Sequence, residues 1–266
     1  MTRRIRNPFL FGQRGPDDCT MADEKEYHIG LAPGDIPELV LLPGDPGRAR
    51  EIAETFFEDP QEVAKKREFW SYKGIWKGTP VAVCSTGIGC PSAAIALEEL
   101  IKIGCTKFIR VGTCGAISRE VRSGDLVVFT GAVRDDGTSR QYVPIEYPAV
   151  ADPEVVTAIR KMAAESGVIH HVGVGHSKDA FYSEFPDYVA DPDEMKRKWD
   201  AMRRAGVLAT EMESAALFVI GLLRDVKVGT VCVVIGENVE QEAKISGKPP
   251  LDELMTVALD ALVSLK

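Results

Sequence analysis

Three short apolar runs, each closed by a glycine-rich knot, organise the first half of the chain: "ELVLLPGDPGR" (38–48), "PVAVCSTGIGCPS" (80–92) and "KFIRVGTCGA" (107–116). A short β-branched run stopped by Gly or Pro is the pattern of a strand buried on both faces. Between and after such runs come segments of helical period. The spacing predicts strands over Glu38–Leu42, Pro80–Thr86, Lys107–Thr113, Asp125–Arg134, His170–Ser177 and Lys227–Gly236. It predicts helices over Pro91–Gly104, Asp152–Gly167, Asp191–Gly206, Met212–Arg224 and Leu251–Leu265, several opening on Asp or Pro and closing on Gly. Alternation of this kind implies a single α/β domain, three layers (α/β/α) around a mixed β-sheet. No repeat, low-complexity tract or linker interrupts it. Residues 1–23, with arginines and a scrap of apolar sequence too short for a secretory signal, read as a flexible extension before a domain spanning 24–266.

Composition narrows the function. A net charge of −8 argues against a general nucleic-acid binder, which needs a basic face, so any anion must be captured by local cations against the global field. No apolar run is long enough to span a membrane. The six cysteines (19, 84, 90, 105, 114, 232) form no C-x-x-C pair, which points to reduced, buried thiols in a cytoplasmic protein rather than to a metal site.

In open α/β sheets, ligands sit at the carboxyl ends of the strands. Glycine there lets backbone N–H groups approach an anion, and the second knot runs straight into a helix N-terminus, where unpaired amides and the dipole favour negative charge. Any one such loop is more simply a turn; three in succession, two of them with an arginine, favour an anion site. Arg48 follows the first knot. Arg110 lies near the end of an apolar strand, either in a buried salt bridge or as a bidentate phosphate ligand. Arg67, beside Lys65 and Lys66, reads by itself as part of a solvated basic face. Thr113 suits a tetrahedral anion. Cys114 beside it has no histidine partner in sequence and reads as packing rather than as a nucleophile. In "LATEMESAALF" (208–218), Glu211 and Glu213 flank Met212 at the head of an apolar helix. They are caps, or carboxylates accepting sugar hydroxyls while Met212 lies on the sugar face.

Together these motifs resemble the nucleoside phosphorylase family of the trimer-of-dimers type, and among its branches the uridine-cleaving one. The matching stretches are "YHIGL", "PGDPGR", "REFWSYKG", "VCSTGIGCPSAAIALEEL", "IRVGTCGAI", "GDLVV", "VRDDGTS", "PAVAD", "DAFY" and "EMESAALF", in order from Glu26 onward. The resemblance implies reversible phosphorolysis of a nucleoside to free base and ribose 1-phosphate, with inorganic phosphate as co-substrate and no metal or organic cofactor. It implies that Gly44, Arg48, Arg110 and Thr113 hold phosphate and that Arg67 reaches in from a neighbouring subunit. Met212 and Glu213 would hold the ribose, with Glu211, Cys114 and Gly115 also beside the nucleoside. His28 of the neighbour would close the 5′ end, and Phe181 would stack near the base. The active unit is then a homodimer and the expected assembly a hexamer.

Two departures bear on specificity. Cys90 replaces a glycine of the second loop. Phe185 and Asp187 stand where uridine-cleaving relatives place a Gln and an Arg that read uracil. Glu237 falls near the position of a purine-protonating Asp in purine-cleaving relatives; it is a buried general acid or a loop glutamate in water. The reading is phosphorolysis with uridine preferred. Purine nucleosides are the alternative substrate, and a non-catalytic nucleoside- or phosphate-binding protein is the alternative class.

Overall fold

The computed structural model describes residues 24–237 and 251–266. The chain runs β1 (Leu39–Leu42), α1 (Pro46–Phe56), β2 (Glu58–Lys66), β3 (Phe69–Trp76), β4 (Thr79–Cys84), α2 (Cys90–Lys102), β5 (Lys107–Ala116), β6 (Leu126–Asp135), α3 (Thr138–Tyr142), β7 (Ala149–Val150), α4 (Pro153–Ser166) and β8 (His170–Lys178). It continues through α5 (Pro192–Arg204), β9 (Ala209–Glu211), α6 (Ser214–Arg224), β10 (Lys227–Gly236) and α7 (Leu251–Ser264), with single 3-10 turns at Phe181–Glu184 and Pro186–Tyr188. All the described strands belong to one mixed sheet. β10 pairs with both β5 and β6, and β6, β8, β9 and β5 continue the pairing, so these five strands close on themselves.

The three layers follow from the period-two alternation of the central strands. Val40, Leu42, Phe108, Cys232 and Val234 face Leu97 and Leu100 of α2 and Leu217 and Phe218 of α6. Their sequence neighbours Leu39, Leu41, Ile109, Val111, Val231 and Val233 face Ile52 of α1, Ile159 of α4 and Leu259 and Leu262 of α7. With both faces covered, a central strand has no polar side to show, which is why these runs are continuously apolar. Asp152 caps α4 by accepting from the amides of Glu154 and Val155, and Gly167 ends it in the left-handed region at φ 76°. Cys84, Cys90, Cys105, Cys114 and Cys232 are buried and free, and Cys19 lies outside the described residues. Among the described residues no helix is long and apolar enough to cross a membrane.

Several elements differ from the expected ones. The first glycine knot opens a helix, α1, that periodicity did not announce: Asp45 accepts from the Arg48 amide at 2.7 Å and Pro46 sits in the first turn. The β2–β3 hairpin was also unannounced, because β2 is an edge strand with no fully buried residue. β5 continues past Thr113 to Ala116, since β10 and β9 supply partners for its glycine-rich end. Arg110 is therefore mid-strand. The helix expected from Met212 begins at Ser214, because Glu211 completes β9 and Met212 turns the corner.

Closure of the β6–β8 side depends on Gly175. A Cβ there would lie 2.0 Å from Phe129 Cε2, inside the core. Gly175→Ala is expected to destabilise the domain by about 1–3 kcal/mol, read as a lower urea midpoint at unchanged slope.

Candidate active site

A cavity of about 480 Å³ opens where β1, β5, β8, β9 and β10 end. Its walls include Gly44, Arg48, Arg110, Thr113, Cys114, Gly115, Phe181, Glu211, Met212 and Glu213, so ten of the residues singled out from sequence share one hollow. The size suits a nucleoside-sized ligand.

Arg110 is its hub. The side chain is 5% exposed; Nε donates to Glu211 Oε2 at 2.8 Å and Nη2 pairs with Glu213 Oε2. Both readings of Arg110 therefore meet in one residue, a buried ion pair whose guanidinium also lines the cavity. Burial alone would weaken its hold on its proton; Glu213 and Glu211 more than restore it. The guanidinium lies back along its own strand over Gly112, where a Cβ would sit 2.9 Å from Nη2. Glycine at 112 thus makes room for the arginine rather than for a ligand.

The two glutamates divide the work. Glu211 takes Arg110 Nε, the Ser177 hydroxyl and the amides of Glu213 and Ser214. A carboxylate has about four lone-pair sites, so these donors leave Glu211 no acceptor for a sugar hydroxyl. It lines the cavity, but its bonds favour the capping reading over a contact with sugar hydroxyls: it caps α6 and steadies Arg110. Burial opposes its ionisation, but Arg110, Ser177 and the two amides hold its carboxyl below the usual range. Among the described residues, Glu213 accepts only from the Gly89 amide at 2.6 Å besides Arg110, and keeps lone pairs open toward the cavity. Burial, and then the neighbouring Glu211 charge, push its carboxyl up despite Arg110.

That Gly89 bond overturns another expectation. Gly89 is the N-cap of α2, the helix N-terminus expected to receive an anionic ligand. The protein's own Glu213 occupies it. Cys90, the first residue of α2, is buried and does not line the cavity, so its bulk does not narrow the site.

Arg48 is the contrasting cation. It lines the cavity half-buried, and no carboxylate pairs with it among the described residues. Burial lowers its proton affinity, Asp45 partly offsets this, and Arg110 adds repulsion. Two guanidinium groups facing one hollow, one of them uncompensated, form an anion trap. Cys114 lines the same wall; its thiol donates to the Val233 carbonyl at 3.7 Å, and the neighbouring Cys232 and burial push it well above the usual thiol range, which agrees with the packing reading.

Three predicted residues lie elsewhere. His28 is fixed to buried Glu99, whose carboxylate takes the amides of His28 and Ile29 and sits 2.6 Å from His28 Nδ1. Arg67 is exposed at the β2–β3 turn with φ 55°. Lys66 bonds the Tyr27 carbonyl and stacks on its ring, so His28 and Arg67 are carried on adjoining segments, both outside this chain's cavity. Glu237 is exposed and accepts from the Ser123 amide at 3.0 Å. Among the described residues it lacks the burial that a general acid needs, which favours the loop-glutamate reading; residues 238–250, which follow it, lie outside the described residues.

The cavity walls also include residues the sequence reading passed over: Lys178, Tyr182, Glu184, Thr210, Ile235 and Gly236. Phe185 is packed among Phe181, Tyr182 and Tyr188, Asp187 is exposed, and neither lines the cavity. The available signal was a Lys and a Glu of opposite charge closely flanking "DAFYS" in a strand-to-turn passage.

A mixed sheet whose strand ends bring two guanidinium groups and an incompletely paired carboxylate into one hollow suits a phosphate-dependent enzyme of nucleoside type. The chain belongs to the phosphorylase superfamily, whose family model matches residues 38–258. It is 47% identical over 214 residues to the uridine phosphorylase of Treponema pallidum, covering 80% of this chain and 83% of that protein. It is 41% identical over 236 residues to the guanosine phosphorylase of Halorubrum lacusprofundi, covering 89% and 92%. The crystal structure of uridine phosphorylase from Vibrio fischeri superposes with a TM-score of 0.80 at 31% identity, over 92% of this chain and 98% of that one.

Because Gly112 seats Arg110, Gly112→Ala is expected to weaken inorganic phosphate binding about ten- to hundredfold by calorimetric titration, with the fold retained by circular dichroism.

Proposed function

We propose that this protein catalyses phosphorolysis of a nucleoside, uridine preferred, to the free base and ribose 1-phosphate. The observation that carries the reading is the convergence of Arg48 and Arg110 on the hollow that also holds Met212 and Glu213. Phosphate, held by the guanidinium groups with Thr113 and Gly44, lies beneath a ribose whose hydroxyls donate to Glu213. The bond from C1′ to the base nitrogen breaks and its electron pair goes to the base. A phosphate oxygen bonds C1′, and the proton carried by hydrogen phosphate ends on the base. The sugar becomes oxocarbenium-like on the way, and the phosphate dianion beneath it stabilises that charge. Inorganic phosphate is the co-substrate, and the reading calls for no cofactor.

Purine nucleosides are the second substrate class. The 41% identity to a guanosine phosphorylase, and the absence of Phe185 and Asp187 from the cavity, favour keeping them. Unpaired thiols fit a cytoplasmic enzyme. The shared patch of His28 and Arg67 outside its own cavity fits a homodimer in which each patch completes the partner's site, within a hexamer. The domain is taken as 24–266, with 1–23 as an extension outside the described residues.

The test is release of base from uridine, inosine and guanosine with and without phosphate. Release only with phosphate is expected. Release without it means hydrolysis, and binding with no release means a binding protein. Arg48→Ala is expected to raise the phosphate KM at least about tenfold in a folded protein, since no buried carboxylate loses its partner. Arg110→Ala removes turnover, and also costs about 3–5 kcal/mol by stranding two buried carboxylates. Arg48→Ala and Arg67→Ala variants, each impaired alone, are expected to regain activity when unfolded and refolded together, because a mixed dimer contains one intact site. Failure to complement removes the shared-site reading.

A further inference from the structure

The cavity wall holds an ion pair to which the phosphorolysis reading assigns no role. Lys178 ends β8 and is 5% exposed; Glu184 ends the 3-10 turn Phe181–Glu184 and is equally buried. The turn folds the carboxylate back onto the strand end, where Glu184 Oε1 pairs with Lys178 Nζ. Lys178 Nζ also donates to Thr210 Oγ1 at 2.9 Å and stands 5.9 Å from the centre of the Phe181 ring. Thr210 is held in turn by His176 Nδ1 at 2.9 Å, and His176 Nε2 by Asp135 at 3.1 Å. Both members of the pair line the cavity.

A buried ion pair is a poor stabiliser, since apolar residues of the same volume often do as well or better. Its open valences are more informative. An ammonium has three protons, and Lys178 spends two, on Glu184 and Thr210. Among the described residues, Glu184 Oε2 has no donor. One open donor and one open acceptor therefore stand side by side, next to the aromatic face of Phe181.

We propose that Lys178 and Glu184 read the nucleobase, selecting a carbonyl next to a ring N–H. This rests on the phosphorolysis reading and deepens it. Uracil offers that edge at O4 and N3–H, and hypoxanthine and guanine at O6 and N1–H. The carbonyl takes the ammonium proton and the N–H donates to the carboxylate; guanine adds a second donor beside the first. Cytosine and adenine invert the pattern: their amino group faces the ammonium and their bare ring nitrogen faces the carboxylate. Both mismatches leave buried polar groups unpaired, the circumstance in which discrimination is steepest. The pair thus replaces the amide and guanidinium that Phe185 and Asp187 cannot supply, and admits both uridine and 6-oxopurine nucleosides. The ammonium also meets the negative charge that spreads to the base carbonyl as the glycosidic bond breaks.

The experiment compares kcat/KM with phosphate for uridine, inosine, guanosine, cytidine and adenosine in the wild type, Glu184→Gln, Glu184→Asp, Lys178→Met and Asp187→Asn. The wild type is expected to favour oxo over amino nucleosides at least about a hundredfold. Glu184→Gln, whose amide can present either face, should reduce that ratio about ten- to hundredfold, and Glu184→Asp should keep most of it. Lys178→Met should lower kcat more than it raises KM, because its charge matters most in the transition state. Asp187→Asn, outside the cavity, should match the wild type. Phosphate titration and thermal midpoints verify folding of each variant. An unchanged oxo-to-amino ratio in folded Glu184→Gln overturns the proposal, as does a wild type that cleaves cytidine as fast as uridine. A wild type that cleaves none of the five refutes phosphorolysis instead; the pair is then judged by titration with uracil and cytosine, and equal affinities overturn it.

Discussion

A single buried guanidinium organises this site. Arg110 stands in the middle of β5, covered by apolar layers on both sides of the sheet, and could not remain there without Glu211 and Glu213. The same two contacts tie β5 to the corner between β9 and α6. That corner is thereby held by charge pairing as well as by the packing of Ala209 and Ala215, and Met212 is carried between the glutamates toward the cavity. Positioning and charge compensation are one interaction here. Any anion that approaches Arg110 competes with carboxylates already in place, so Arg48, which has no carboxylate partner among the described residues, is the cation left open to an anionic ligand.

The glycines around the site have unlike jobs. Gly112 yields space to the Arg110 side chain, and Gly44 lies where a Cβ would be 3.2 Å from the Gly87 carbonyl, so the first two loops can touch. Gly89, at φ 91°, turns its amide toward Glu213. The helix dipole of α2 is used to hold a protein carboxylate, which in turn orients an arginine and, in the proposed reaction, a sugar. The dipole therefore acts on the substrate through an intermediary.

Much of the fold was legible because the central strands obey a simple rule: covered on both faces, they must be apolar throughout, and turns must stop them. The β2–β3 hairpin escaped because an edge strand with an exposed surface carries no such pattern. α1 escaped because its helical face is short, limited to Ala49, Ile52 and Ala53. In the site, Arg110 and Glu213 were legible as charges where unpaired polarity is costly, Arg48 and Thr113 by their place at glycine-rich strand ends, and Met212 by its place between two glutamates. Lys178 and Glu184 were not, since each looks ordinary on a strand end or a turn, and only the fold-back of Phe181–Glu184 makes them a pair.

The amino-acid sequence by itself determined the α/β class, the strand ends that carry the site and the residue types able to grip an anion, because periodicity and the cost of buried charge act locally along the chain. Tertiary structure alone decided which partner each charge found: Glu213 on the α2 terminus, Glu211 spent on capping, Arg48 left open, Lys178 against Glu184. Some of those choices join segments far apart in the chain, 124 residues for Gly89 and Glu213; others, such as Lys178 with Glu184, are close in sequence but depend on how the turn folds back onto the sheet, and no local pattern encodes either.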